Sequence, residues 1–450
     1  MGIFQNSLMG AASTLGGVTG YTLWAWGDFS DGASGLGNNT TYSSPVQIGD
    51  LNDWTPVVTS DGGSTHAIKQ DGTLWGWGEQ GLGQIGDGTV TQRNSPVQVG
   101  ALADWLARDA DERVKVKMSQ SSYTVAIKPD GTLWAWGAGE YGRMPLGSTT
   151  NFSSPVQVGS LTDWDNVAAG TNDGWAVKTD GTLWAWGRNY YGGVGQGNTT
   201  NYSSPVQVGS LTDWALVFPG GEFVHCIKTD GTLWGLGKNY EYGSLGDGTL
   251  TNRCSPVQIG SLTTWASGDG GTEYAAAVKT DGTLWSWGRN ARGVLGLNNT
   301  TDYSSPVQVG SLTDWYEVSA TVGANGGSGQ ERGTMVATKT DGTLWGWGTQ
   351  TKAWSDALTG TIGVGNTTTY SSPVQVGSLT DWRNAWTTNY VTIADKTDGT
   401  LWAWGFGGQS LGNDNTTSQC SPVQVGSLTD YLGIPGGQGT DLFWHFVRSP

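Results

Sequence analysis

The sequence predicts an all-β chain folded as one β-propeller of eight four-stranded blades. Three observations carry this. A core phrase, Leu-Trp-x-Trp-Gly, begins at Leu23, Leu74, Leu133, Leu183, Leu233, Leu284, Leu344 and Leu401, in steps of 51, 59, 50, 50, 51, 60 and 57 residues. Two more phrases keep pace with it. Ser-Pro-Val-Gln-(Val/Ile)-Gly has its proline at Pro45, Pro96, Pro155, Pro205, Pro256, Pro306, Pro373 and Pro422, and Leu-Thr-Asp-Trp, with variations, has its aromatic at Trp54, Trp105, Trp164, Trp214, Trp265, Trp315, Trp382 and Tyr431. The strand these phrases enclose is apolar on both of its alternating faces, as a sheet packed between two others requires.

Each unit reads as four strands. The first follows Leu-Thr-Asp-Trp, and the second ends in a basic residue such as Lys178. The third is Thr-Leu-Trp-Ala-Trp-Gly, joined to the second by an Asp-Gly pair that supplies the positive φ of a tight hairpin. Leu183 and Ala185 point one way along it, Trp184 and Trp186 the other. The fourth is Pro-Val-Gln-Val-Gly. Four-stranded sheets recurring every fifty residues and covered on both faces describe a propeller. A tryptophan buries roughly 150–250 Å², worth up to about 4–6 kcal/mol, so two per unit are expected to fill the wedge between blades. In the fifth copy Leu236 stands where the others have their second tryptophan. No 3.6-residue period competes with this pattern.

The order DGTLWAWGRNYYGGVGQGNTT, then SPVQVGSLTDW, then WAVK resembles the repeat of the regulator of chromosome condensation family. The likeness covers about residues 20–448. It implies a propeller, for which seven blades are usual, so seven is the alternative to the eight that the phrases count. The resemblance also implies a binding role. Members hold protein partners on their loop faces, among them a nucleotide exchange factor, a light receptor and a secreted inhibitor of β-lactamase. The exchange factor's chromatin binding is aided by a basic tail, which this acidic chain does not show.

The last unit reads LFWHFVRSP, which aligns with EFVHCIKTD and sets His445 on His225 and Arg448 on Lys228. The third strand that belongs after it is found at the other end, in GYTLWAWG. The termini are therefore expected to share one blade, which pairs otherwise open strand edges. Residues 1–19 are left as an N-terminal arm, and 20–450 form the propeller.

Composition narrows the function. The net charge is −16, opposite in sign to that of a nucleic-acid or anionic-membrane binder. Three cysteines are too few for a disulfide framework. Residues 1–20 lack the pattern of a signal peptide, and no window is long and apolar enough to span a membrane.

The repeat also discounts the obvious chemical candidates. His66, His225 and His445 share one repeat position, where other units carry Val125, Trp175, Ala276, Val336 and Ile393. A slot that accepts such residues is a packing site. Cys254 and Cys420 are likewise equivalent, Cys226 lies in a core strand, and no Cys-x-x-Cys pair exists. The Asp/Asn-Gly loops lack the spacing of a calcium loop. No catalytic residue, metal site or cofactor is expected.

Function is expected where the repeat is interrupted. Extra residues fall at about 106–117, 319–333 and 349–362. The first two are placed between strands one and two and the third between strands three and four, so all three are expected on one face. Candidate binding residues there are Arg108, Asp109, Asp111, Glu112, Arg113, Glu331, Arg332, Lys352, Trp354 and Asp356, with Trp354 as the anchor.

The arm supplies a further expectation. MGIFQNSLMGAAS resembles short openings of virion proteins in marine tailed phages. It implies a non-enzymatic virion surface protein, docked to a capsid or tail protein through Ile3, Phe4, Leu8 and Met9, with host-surface glycan or protein contact. Two alternatives are a secreted bacterial protein-binding propeller, hence extracellular, and a polysaccharide-acting enzyme, which would need paired carboxylates in one cavity.

Overall fold

In a computed structural model, the structure describes residues 20–29, 32–61, 63–105, 115–119, 121–321, 333–350, 359–388, 390–408, 411–427, 429–432 and 443–448. They form eight antiparallel four-stranded sheets, numbered here as blades 1 to 8 from Trp54 onward. Blade 3 shows the common plan. Its strands are Trp164–Ala169, Asp173–Lys178, Leu183–Gly187 and Tyr202–Gln207, side by side in chain order. First strands of successive blades touch each other, so they line the central channel. Fourth strands lie outermost and half-exposed. Proline suits that edge, since it has no N–H to offer an incoming strand.

The hairpin between strands two and three is held by its own side chains. Asp180 Oδ1 accepts the Thr182 N–H at 2.9 Å and the Thr182 hydroxyl at 2.7 Å, and Thr182 Oγ1 in turn accepts Trp184 Nε1–H at 2.9 Å. Gly181 sits at φ +77°, and a Cβ there would stand 2.2 Å from the Thr212 carbonyl of the next blade. Both the φ and the close approach demand glycine.

The two tryptophans of the core phrase divide their work. The second is fully buried, as Trp186 shows, and its indole N–H reaches a loop carbonyl of the preceding blade. Trp186 donates to Arg143 O at 3.0 Å and Trp136 to Gln84 O at 2.9 Å, and Trp287 and Trp404 repeat the bond. This is the wedge filler. The first is only half-buried and serves instead as a lid on a cation. The Lys178 ammonium lies 4.5 Å from the Trp184 ring and 4.9 Å from Trp164, with Asp163 at 3.2 Å. The same arrangement recurs at Lys69, Lys128, Lys228, Lys339 and Lys396. Where Thr264 replaces the acid, Lys279 turns to Asp281 at 3.3 Å.

Blade 8 closes the ring as the sequence implies. Tyr431–Leu432 and Phe443–Arg448 supply strands one and two, and Thr22–Gly27 and Tyr42–Gln47 strands three and four. The registers Thr22↔Arg448, Leu23↔Val447 and Ala25↔His445 join the two ends of the chain. Arg448 meets Asp430 at 2.8 Å, the counterpart of the lysine pairs above. The blade count is eight, not seven.

One placement is corrected. The first strand of blade 2 is Lys115–Ser119, and it turns into Tyr123–Ile127 over a few residues. The extra residues 106–114 therefore join Trp105 to the start of strand one, at the Asp-Gly-turn end of the blade, and not strand one to strand two. Counting between Trp105 and Lys128 gives the length of an insertion but not its position along the strand. Val116 and Met118 settle it by occupying buried positions. The other two interruptions leave blade 6 as expected: 322–332 follows strand one, and 351–358 lies between strands three and four.

The channel wall holds a titration test. Asp269, on the first strand of blade 5, accepts the Ala320 N–H of blade 6 at 2.8 Å. Burial pushes its carboxyl up to about 7. The folded protein thus keeps a proton that the unfolded chain releases near pH 4, and that stabilisation is lost as pH rises toward and through about 7. Asp269→Asn is expected to change the thermal midpoint little at pH 4 and raise it at pH 8, by up to about 4 kcal/mol of stability. A calorimetric scan at both pH values checks this; an equal effect at the two would contradict it.

Candidate functional site

The two ends of the propeller differ in regularity. The Asp-Gly-turn end repeats its lysine–aspartate–tryptophan group from blade to blade. The opposite end, formed by the turns between strands one and two and between strands three and four, is where side chains change from blade to blade. Blade 6 carries two of the three interruptions there.

The residue after the Trp-Gly dipeptide reads Asp28, Glu79, Ala138, Arg188, Lys238, Arg289, Thr349 and Phe406, so it is basic in blades 3, 4 and 5. The residue just before strand two is acidic in blades 4 and 5, as Glu222 and Glu273. The fold brings these groups into one chain of ion pairs across three blades. Arg188 meets Glu222 at 3.5 Å, Glu222 meets Lys238 at 3.8 Å, Lys238 meets Glu273 at 2.9 Å and Glu273 meets Arg289 at 2.9 Å. Tyrosines interleave with them. The Arg188 guanidinium lies 5.5 Å from both the Tyr141 and Tyr190 rings, Lys238 5.2 Å from Tyr240, and Arg289 4.5 Å from Tyr242. Tyr191 connects the rows, 4.7 Å from Tyr190 at 89° and 5.6 Å from Tyr240. Tyr190 is 63 % exposed and Tyr141 41 %.

A shallow, half-open cleft with about 20 Å³ of water-accessible space, room for one water-sized group, lies between blades 3 and 4 beside Tyr190. Thr171, Asn172, Asp173, Arg188, Tyr191 and Glu222 line it. Its acidic wall is legible in the register. Asp173 opens strand two opposite Gly187, the place held by Tyr123, Phe223 and Tyr274 in blades 2, 4 and 5. Those rings are buried. Blades 1, 6 and 7 carry Ser64, Thr334 and Val391 at this position, so Asp173 is the acid among its occupants. Burial, and next the Glu222 carboxylate, push Asp173 up to about 7, against the pull of Arg188. Burial also raises Glu222.

Arg108, Asp109, Asp111, Glu112, Arg113, Glu331, Arg332, Lys352, Trp354 and Asp356 lie outside the described residues, as do Ile3, Phe4, Leu8 and Met9 of the arm. The first five belong to the span that joins the opposite end of the propeller. The residues that sequence reasoning missed are Tyr141, Asp173, Arg188, Tyr190 and Glu222. Two signals mark them: three successive basic residues after Trp-Gly, and an acid at Asp173 where neighbouring units write an aromatic.

The histidines keep their packing role. His66 Nε2 lies 2.9 Å from Ile85 O and His225 Nε2 3.0 Å from Leu245 O, the bond that Trp175 Nε1 makes to Gly193 O at 3.0 Å in blade 3. Burial lowers both imidazoles to about 4. Among the described residues, no three His, Cys, Asp or Glu side chains gather as a metal would need.

Comparison with known proteins agrees with the repeat reading. The regulator of chromosome condensation (RCC1) repeat matches residues 130–172, 180–227 and 281–325. Human E3 ubiquitin-protein ligase HERC2 is 28% identical over 141 residues, 31% of this chain and 3% of that protein. The ultraviolet-B receptor UVR8 of Arabidopsis thaliana is 30% identical over 141 residues, 30% of this chain and 29% of the receptor. The matched stretch thus spans less than a third of either relative. In structure, the chain is similar to Prp20p from Saccharomyces cerevisiae, with a TM-score of 0.60 at 15% identity over 96% of this chain and 92% of that one. It is similar to human WBSCR16 at a TM-score of 0.59 and 15% identity, over 95% and 99% of the two chains. At such identities the structural likeness is one of fold. Three stretches of the chain thus match the RCC1 repeat, and its fold is that of an RCC1-like propeller.

Proposed function

We propose that this RCC1-like propeller is a non-enzymatic protein-binding module whose partner docks on the variable face of blades 2 to 5. One observation carries the reading: Tyr141 and Tyr190 stand exposed, with the half-buried Arg188 guanidinium between their rings and held by Glu222, so that the pair is ordered before any partner arrives. Tyrosine and arginine dominate interface hot spots, and a pre-ordered side chain loses little entropy on binding. The similar Prp20p is described with binding properties toward Gsp1p and histones, and with Kap60 bound, which supports a partner of protein class here.

A narrower placement concerns the arm. A virion location, with residues 1–19 gripping a capsid or tail protein, rests on the resemblance of the opening residues alone. Host-surface glycan or protein contact belongs to the same placement; a secreted, extracellular protein-binding propeller and a polysaccharide-acting enzyme are its rivals. The comparisons bear on the propeller and not on these.

The tagged full chain and a Tyr141→Ala/Tyr190→Ala variant would be used for quantitative affinity capture from the native source. The variant is expected to lose the partner at least tenfold, since each hot-spot aromatic is worth about 2 kcal/mol. Leu161→Ala, on the Asp-Gly-turn end, is expected to retain it. Equal capture by all three would end the docking reading, and loss only on deletion of residues 1–19 would transfer the function to the arm.

A further inference from the structure

We propose that the cleft between blades 3 and 4 is a socket for a cationic side chain of the partner, a lysine ammonium or an arginine guanidinium, seated against Asp173 and Glu222. The proposal rests on the docking reading above and names the chemistry of its anchor.

The cleft lies where Asp173 opens strand two of blade 3. Blades 2, 4 and 5 fill this position with Tyr123, Phe223 and Tyr274, and blade 3 with Asp173. The acid is 9 % exposed and lines the cleft. The backbone N–H groups of Asn172 and of Asp173 itself reach its carboxylate, but among the described residues no cation of the chain comes within ion-pair distance of it. Arg188, the nearest basic group, is engaged by Glu222 at 3.5 Å and by the Tyr141 and Tyr190 rings. A buried carboxylate is costly unless it is paired. Elsewhere this chain houses its buried cations in one way, with a carboxylate on one side and aromatic rings on the others. Lys178 has Asp163, Trp164 and Trp184. Lys238 has Glu273, Tyr191 and Tyr240. The cleft offers the same wall materials: two carboxylates, and Tyr190 and Tyr191 set edge to face as a corner. Cations are attracted to such ring faces and to acids together. The net charge of −16 steers basic partners toward the protein at long range.

The groups facing Asp173 fix the pH dependence. They are Glu222 from blade 4, Arg188 and Tyr191 from its own blade, and Tyr123 of blade 2, whose hydroxyl donates to the Asp173 carbonyl at 2.6 Å. Burial holds the Asp173 carboxyl up to about 7. A docking cation favours the carboxylate, so binding expels a proton and tightens as pH rises from 6 to 8. A saccharide that uses the protonated acid as a donor would show the reverse.

The test is calorimetric titration of the full chain with acetyl-tetra-arginine amide, its tetra-citrulline counterpart and chitotetraose, at pH 6 and pH 8 in 150 mM salt. The arginine peptide is expected to bind at least fivefold more tightly at pH 8, and the citrulline peptide to give no heat. Asp173→Asn, nearly isosteric, is expected to weaken the arginine peptide tenfold at pH 8 and abolish its pH dependence, while Asp50→Asn, an exposed charge at the other end, changes neither. Should Asp173→Asn fail to fold, Glu222→Gln serves, with the same direction expected. Equal binding of the arginine and citrulline peptides, unchanged binding by the cleft variants, or binding of chitotetraose alone would overturn the proposal. If the cleft variants bind as the parent while Tyr141→Ala/Tyr190→Ala still loses the partner, the socket falls and the docking face stands.

Discussion

Removing residues 443–450 is expected to abolish cooperative folding of the whole propeller rather than weaken one blade. Phe443–Arg448 lies second in the sheet of blade 8, bonded on one side to Tyr431–Leu432 and on the other to Thr22–Gly27. Without it, Thr22–Gly27 and Tyr42–Gln47 are left as a two-stranded hairpin, which is marginal in water. Trp26 loses the Phe446 ring stacked on it at 5.0 Å, and Trp77 loses the edge of His445 at 5.5 Å. The first contact lies within blade 8, where Phe446 shares a core with Tyr390, Ile393 and Ala403 of blade 7, and the second crosses to blade 1. An array whose units touch only their neighbours needs its ends covered, and here each end covers the other. The loss is expected to match the stability of an ordinary domain, about 5–15 kcal/mol. Calorimetry of the truncated chain should show a broad, weak transition in place of one sharp peak, with aggregation through the freed edge of Thr22–Gly27. A permuted chain checks the cause. Joining Arg448 to Thr22 by the Thr-Asp-Gly turn of the other units, and opening the chain at the exposed Gly209, leaves every strand present and should restore the sharp peak. If the truncated chain melts as sharply as the parent, closure is not what holds the ring.

The architecture was legible because the repeat states it eight times. Leu-Trp-x-Trp-Gly, Asp-Gly and the edge proline each fix one local geometry, and equivalent positions check one another. That is how His225 could be read as packing: Trp175 makes the same bond in the same place. The shared blade followed from setting Arg448 on Lys228. The site was less legible for two physical reasons. Insertion length was taken as the signal of function, but residue spacing does not say at which end of a strand extra chain emerges, and residues 106–114 join at the opposite end from the one expected. The residues of the proposed site also sit in single substitutions within the regular repeat. Asp173 in place of an aromatic changes one letter and sets an acid in the cleft wall, and Arg188, Lys238 and Arg289 become a network only when Glu222 and Glu273 arrive from other turns.

The division of labour between the paired tryptophans leads to the second large effect. Trp186→Ala is expected to cost about 3–5 kcal/mol, the range for deleting a large buried aromatic, and Trp184→Ala considerably less. Trp186 is fully buried between blades 2 and 3, packed with Met144, Val158 and Trp164. Its loss would leave a cavity and deprive the Arg143 carbonyl of its 3.0 Å bond. The ring cannot shrink to fill the gap, because closure at blade 8 fixes the angle each blade subtends. Leucine offers a graded test. Leu236 is the natural occupant of this slot in blade 4, with no exposed surface, and packs among Val194, Val208 and Val224 of the wedge. Its wedge has adapted: where blade 3 places Gly174 under the Trp186 ring, blade 4 has Val224. Trp186→Leu alone should therefore recover only part of the loss, and Trp186→Leu with Gly174→Val should recover more than the sum of the two single changes, since the added methyl groups occupy the volume the indole vacates. Chemical denaturation of the four variants gives the coupling directly. Additivity within about 0.5 kcal/mol would mean that the wedge relaxes on its own and that ring closure does not hold the blades at a fixed angle.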